Sequence, residues 1–168
     1  MILGLHHAAI STANLERLRA FYCDLFGLQE VMRFGWEQGD ELCDSIVGLP
    51  SSAARFVYLR AGNSHIELFE FAHPAPKPRN PEWRVCDHGI THVCFEVVDI
   101  EAEFRRLSVL GMKFQNDAPI DADGMLKVLY GFDPDGNIVE LLEFPDRDDT
   151  ANTSSLTGAP RFSLESST

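Results

Sequence analysis

Two histidines and two glutamates, His7, Glu67, His92 and Glu140, are the residues whose types and spacing could do chemistry in this chain. Side chains alternate along a strand, so in residues 91–97 the mainly apolar set Thr91, Val93, Phe95 and Val97 faces one way and His92, Cys94 and Glu96 the other. In residues 138–144, Val139 and Leu141 face one way, and Glu140 faces the other, between Ile138 and Leu142. Earlier in the chain Ile66 and Leu68 stand opposite Glu67, which is flanked by His65 and Phe69. A carboxylate set mid-strand among apolar neighbours is costly unless a cation or hydrogen bonds offset its lost hydration. Two such glutamates, each accompanied by a mid-strand histidine, point to one shared offset, a divalent ion. Two imidazoles and two carboxylates neutralise a dication and present a mixed nitrogen and oxygen field. That field suits Zn, Ni, Co, Mn or Fe and suits Cu(I) or Ca poorly. On a six-coordinate ion, two positions would be left for water or a chelating substrate.

The elements that must position these residues repeat along the chain. Leu5-His6-His7 is echoed by Ile90-Thr91-His92, and seven residues after the last His of each comes a helix-starting residue, Asn14 or Asp99. Ile66-Glu67-Leu68-Phe69-Glu70-Phe71 is matched by Val139-Glu140-Leu141-Leu142-Glu143-Phe144. Asn14 and Asp99 carry side-chain oxygens that can cap a first helical turn. Leu15, Leu18, Tyr22 and Leu25 form one helical stripe, and Ile100, Phe104, Leu107 and Leu110 another; Gly27 and Gly111 stand where a left-handed residue would end each helix. Strands are predicted at 28–33, 54–60 and 64–71, then at 112–115, 126–130 and 137–144, with turn chemistry at 61–63 and 133–136. Each half is thus βαβββ, and the halves are expected to share one core because neither covers both faces of its own small sheet.

The spacing between ligands differs: 60 residues separate His7 from Glu67 and 48 separate His92 from Glu140. The excess is assigned to an insertion around residues 34–53. The expected organisation is a single domain over 1–145, with modules at 4–72 and 88–145, a proline-rich connector at 73–87, and a mobile tail at 146–168. Glu16, Glu70 and Glu143 are read as solvated. His6 and His65, adjacent to proposed ligands, are candidate supports for them. His88 with Cys86 lacks a second pair at zinc-finger spacing and is read as structural. The basic Lys77, Arg79 and Arg84 are read as a solvated linker.

A net charge of -12 argues against nucleic acid and an anionic membrane as partners, because phosphate binding draws on clustered Lys and Arg. With no apolar run near the length of a membrane span and no basic n-region, a cytoplasmic location is expected. Cys23, Cys43, Cys86 and Cys94 form no C-x-x-C pair and are expected to be free thiols.

The residues and the repeat together resemble the vicinal oxygen chelate superfamily, which includes glyoxalase I, methylmalonyl-CoA epimerase, extradiol dioxygenases and fosfomycin- and bleomycin-resistance proteins. The pieces that carry the resemblance are Leu5-His6-His7-Ala8-Ala9-Ile10, Asn14-Leu15-Glu16, Phe21-Tyr22, His65-Ile66-Glu67-Leu68, residues 89–97, and Asp133-Pro134-Asp135-Gly136-Asn137-Ile138-Val139-Glu140-Leu141. It implies an α+β fold of two tandem βαβββ modules forming a cupped, mostly antiparallel eight-stranded sheet. It also implies metal ligands at His7, Glu67, His92 and Glu140, and a homodimer. The His/Glu/His/Glu set is similar to that of glyoxalase I; extradiol dioxygenases use two His and one Glu.

The expected activity is that of a metal-dependent lyase or isomerase acting on a small-molecule substrate. The ion acts as Lewis acid on a bidentate or enediolate-forming substrate, and Glu67 or Glu140 serves as the base that removes a proton α to a carbonyl. Two other readings stand beside it: Fe(II)-dependent extradiol-type oxygen chemistry, and a binding or resistance protein that sequesters a small molecule without turnover. Substrate shape is assigned to the insertion and to Phe69, Leu142 and Tyr130.

Overall fold

The computed structural model describes residues 1, 2 and 4–145. The expected tail at 146–168 lies outside them. The chain divides into two compact units between Arg79 and Asn80, inside the expected connector.

In the first unit the elements are β1 (His7–Ser11), α1 (Leu15–Ala20), β2 (Gln29–Trp36), α2 (Glu41–Val47), β3 (Ala53–Ala61) and β4 (Ser64–His73). Helix α1 starts because the Asn14 side chain accepts from the Arg17 amide (3.0 Å), and it continues into a π-helical turn at Phe21–Leu25. Gly27 then takes a φ of 69°, a left-handed conformation that only glycine adopts without strain. The sheet order is β1-β4-β3-β2, with β1 parallel to β4 and the other pairs antiparallel. Leu15, Leu18 and Tyr22 are fully buried, as are Val57, Leu59 and Leu68 on the strands against which α1 packs. Burying such a side chain contributes roughly 1.5–3 kcal/mol.

The second unit repeats the plan with β5 (His92–Glu96), α3 (Ile100–Val109), β6 (Lys113–Phe114), β7 (Ile120–Asp121), β8 (Lys127–Phe132) and β9 (Ile138–Glu143). Its order is β5-β9-β8-β6, with β5 parallel to β9 and β7 paired to β8. Ile100 and Leu107 of α3 are buried, together with Met112, Leu129, Val139 and Leu141. The α+β fold of duplicated βαβββ modules is therefore as expected, in two sheets of four and five strands; the short β7 is the addition to the eight strands anticipated.

Three details differ from expectation. The insertion is narrower than 34–53: β2 runs on to Trp36 and β3 begins at Ala53, leaving α2, capped by Asp40 through the Cys43 amide and ended by Gly48, as the added element. Leu110 of the predicted stripe is half exposed, because α3 ends at Val109 and Met112 takes the buried place. Glu70 and Glu143 are not simply solvated. Glu70 accepts the Leu15 amide at 2.6 Å, and Glu143 accepts those of Asp99 (2.7 Å) and Ile100 (3.2 Å). A carboxylate at the first turn satisfies donors that the helix cannot, and complements its positive end. The four cysteines are free, as expected. Among the described residues no helix is long and apolar enough to cross a membrane.

Candidate functional site

In the first unit, parallel pairing of β1 with β4 sets His7 opposite His65 and Ala9 opposite Glu67. The diagonal neighbours meet: His7 Nε2 lies 3.2 Å from Glu67 Oε2. The other ring nitrogen is engaged too, because His7 Nδ1 is 2.8 Å from His6 Nδ1, so one ring donates and the other accepts. His6 in turn stacks on His65 at a centroid distance of 4.8 Å. Glu67 is only 6% exposed. Across the next strand pair Tyr58 is its register partner, and the Tyr58 ring centroid stands 5.1 Å from that of His7. Burial holds the Tyr58 hydroxyl above its ordinary pKa, and its hydrogen bond to the Glu67 carboxylate adds to the rise.

The second unit builds the same arrangement. His92 Nε2 lies 2.9 Å from Glu140 Oε2. Its Nδ1 is 2.8 Å from the Thr91 hydroxyl, the chain neighbour that corresponds to His6. Tyr130 is the register partner of Glu140, and its ring centroid is 5.3 Å from that of His92. Where Ala9 faces Glu67, Cys94 faces Glu140. Desolvation and then Glu140 push the Cys94 thiol up to about 12. The residue is exposed, so the adjacent negative charge is the part of that cause that does not need burial. Tyr130 is raised by burial and then by Glu140 and Cys94.

Of the four residues singled out in the sequence, His7 is brought to Glu67 and His92 to Glu140. Each unit supplies two donors, and among the described residues no group of three or more His, Cys, Asp or Glu side chains gathers in metal-binding geometry. The donor chemistry of each pair fits a divalent ion: one imidazole Nε2 and one carboxylate oxygen converge, with Nδ1 already bonded and so fixing the ring. Metal-free, the same pair can hold a proton between ring and carboxylate. Phe69 shares the Glu67 face of β4 and belongs to an aromatic set with Trp36, Phe56 and Phe71 against α2, so the insertion does line this face. Tyr58 and Thr91 were not anticipated as site residues. Thr91 was visible as the residue preceding a repeated His, whereas Tyr58 needed the β3–β4 register.

The uncharacterized protein YaeR of Escherichia coli (strain K12) is 32% identical over 148 residues, which cover 84% of this chain and 99% of YaeR. The mitochondrial methylmalonyl-CoA epimerase of Mus musculus is 28% identical over 142 residues, 82% of this chain and 71% of the mouse protein. Among solved structures, a glyoxalase family protein from Bacillus cereus superposes with a TM-score of 0.76 at 23% identity, covering 86% of this chain and 95% of that one. A lactoylglutathione lyase from Agrobacterium tumefaciens superposes with a TM-score of 0.53 at 23% identity, covering 84% and 94%. At these identities the two structures speak for the fold alone. Residues 4–141 match the family model of the Glyoxalase/Bleomycin resistance protein/Dioxygenase superfamily, and the chain belongs to that superfamily.

Proposed function

We propose that the protein is a divalent-metal-dependent lyase or isomerase of the glyoxalase type. Its ion would be held by His7, Glu67, His92 and Glu140, with the two pairs combining within one chain or across a homodimer. The observation that carries this reading is the recurrence, in both units, of a histidine Nε2 within 3.2 Å of a mid-strand glutamate. The pairing recurs together with a bonded neighbour at the other ring nitrogen, His6 or Thr91, and with a tyrosine against the imidazole. When bound, the ion would supply Lewis acidity to a substrate oxygen.

The protein's own groups do the rest. Glu67 Oε2 and Glu140 Oε2 are the atoms suited to take a proton from a carbon α to a carbonyl and return it to the same or the neighbouring carbon. The buried setting of Glu67 keeps water from competing for that proton. Proton return to the opposite face of the same carbon is epimerisation, and the likeness to methylmalonyl-CoA epimerase supports proton transfer over oxygen chemistry. Small-molecule substrates such as hydroxy-ketones, acyl-CoA thioesters or glutathione adducts share this acidic α-hydrogen.

The test is exchange of the substrate α-hydrogen with deuterium oxide, followed by NMR, using protein reconstituted with Ni, Co, Zn, Mn or Fe(II). Metal-dependent exchange that falls at least a hundredfold in both Glu67→Gln and Glu140→Gln is expected. Oxygen uptake with Fe(II) and no exchange would replace this reading with the dioxygenase one. Tight ligand binding with neither metal nor turnover would replace it with the binding protein.

A further inference from the structure

The two His–Glu pairs share a third component that the proposed chemistry does not use. Tyr58 in β3 and Tyr130 in β8 are the cross-strand partners of Glu67 and Glu140, so each tyrosine stands on the same sheet face as its glutamate. Each ring also lies against the paired imidazole, at 5.1 Å in the first unit and 5.3 Å in the second. The inclinations differ: the Tyr58 ring meets His7 at 68°, near edge-on, and the Tyr130 ring meets His92 at 43°.

We propose that Tyr58 and Tyr130 are the positioning residues of the two pairs: each ring sets the plane of its imidazole. The proposal rests on the metal reading above only for its metal-binding arm. The physical reason is the same in both units. A histidine at the first residue of a strand has its ring at the sheet edge, half exposed, with two side-chain torsions free. One bond to Nδ1 fixes its tautomer but leaves the ring able to pivot about that bond. A flat neighbour two strands away, on the far side of the glutamate's strand, removes the pivot. A ligand pre-set in this way loses less conformational freedom when it coordinates.

The proposal is testable on the full chain. Zn²⁺ binding is titrated against a chromophoric chelator for the wild type, Tyr58→Phe, Tyr130→Phe, Tyr58→Ala and Tyr130→Ala, and the visible spectrum of the Co²⁺ form is recorded for each. Both phenylalanine variants keep the ring and should bind Zn²⁺ within about twofold of wild type, whereas both alanine variants should weaken binding by about tenfold and alter the Co²⁺ bands. The second arm needs no metal. Ring ¹⁵N resonances of the metal-free protein should move for His7 and not His92 in Tyr58→Ala, and for His92 and not His7 in Tyr130→Ala. A wild type that binds no Zn²⁺ would remove the metal reading, and the NMR arm would still judge the positioning. Equal Zn²⁺ affinity and equal Co²⁺ spectra for wild type and the alanine variants would overturn the metal-binding arm. Imidazole resonances that do not respond to either alanine variant would overturn the role of the rings.

Discussion

Replacing Glu67 by Gln separates the cost of a buried charge from its use. Glu67 is 6% exposed, lies between Ile66 and Leu68, and has one imidazole partner at 3.2 Å. If His7 were protonated, that contact would be worth at most about 5 kcal/mol at an effective dielectric of 20, and less with a neutral ring. Taking the carboxylate out of water costs several kcal/mol, so the two terms nearly cancel. Glutamine keeps the shape while removing the charge. The metal-free variant is therefore expected to be as stable as wild type within about 1 kcal/mol, which is roughly 3 °C in Tm for a chain of this size.

The metal-bound difference is expected to be larger and to favour the wild type. At free metal 100 times the dissociation constant, binding stabilises the wild type by about 2.7 kcal/mol, near 8 °C. If losing the carboxylate weakens affinity about a hundredfold, the same metal concentration gives the variant only about 0.4 kcal/mol, near 1 °C. Differential scanning fluorimetry with and without Zn²⁺ measures both quantities. A variant that keeps the whole metal-induced rise would refute the ligand assignment of Glu67. A metal-free variant melting 10 °C or more below wild type would show that the His7–Glu67 pair is there for the fold.

Two further outcomes test the scaffold. Glu30 is held down to about 2 by hydrogen bonds from Arg33 and then Arg19. Its folded value lies below the ordinary 4.5, so its contribution is fully present above pH 4.5 and is lost as pH falls toward 2. Glu30→Gln should cost about 1 kcal/mol at pH 7, discounted for a partly solvated pair, and only a small fraction of that at pH 2, by urea titration; a cost equal at both pH values would refute it. A Cβ at Gly131 would meet Met112 Cε at 2.6 Å, Phe114 Cδ1 at 2.8 Å and the Lys113 carbonyl at 2.9 Å. Gly131→Ala should destabilise by about 2 kcal/mol because β6 must move off β8, and an unchanged denaturation midpoint would contradict that close approach.

How far this chain could be read without coordinates depends on which distances along it are short. The repeated Ile/Val-Glu-Leu-x-Glu segments needed only the two-residue alternation of a strand to place Glu67 and Glu140 on a face opposite the core, and the structure agrees. The same alternation, carried three residues on, turns Glu70 and Glu143 to the helix side, beside buried Leu68 and Leu141. Charge alone makes them look solvated; their partners are amides at the first turn of a helix distant in the chain, which strand alternation does not reveal. The N-caps Asn14 and Asp99 and the terminating Gly27 and Gly111 were legible because each acts within one turn of its own chain.

Tyr58 was illegible for the opposite reason. It precedes Glu67 by nine residues, whereas Tyr130 precedes Glu140 by ten, so no fixed offset in the repeat links them. What equates them is the turn between the paired strands: a tight turn after Ala61 in one unit, and the longer Asp133 loop in the other, where the buried Asp133 carboxylate ties down the amides of Asp135 and Asn137 at 2.9 and 2.8 Å. The loop's extra residue is absorbed in the turn, and both tyrosines still arrive opposite their glutamates. Register is a property of two strands and the turn that joins them, and a difference of one residue in the turn is enough to hide an equivalence that the folded chain keeps. The His–Glu–Tyr arrangement is therefore preserved in space although it is not preserved in spacing. A contact needed only to close a turn would follow the turn, whereas this one persists across two turns of different length, which is what a requirement on the histidine and glutamate themselves would produce.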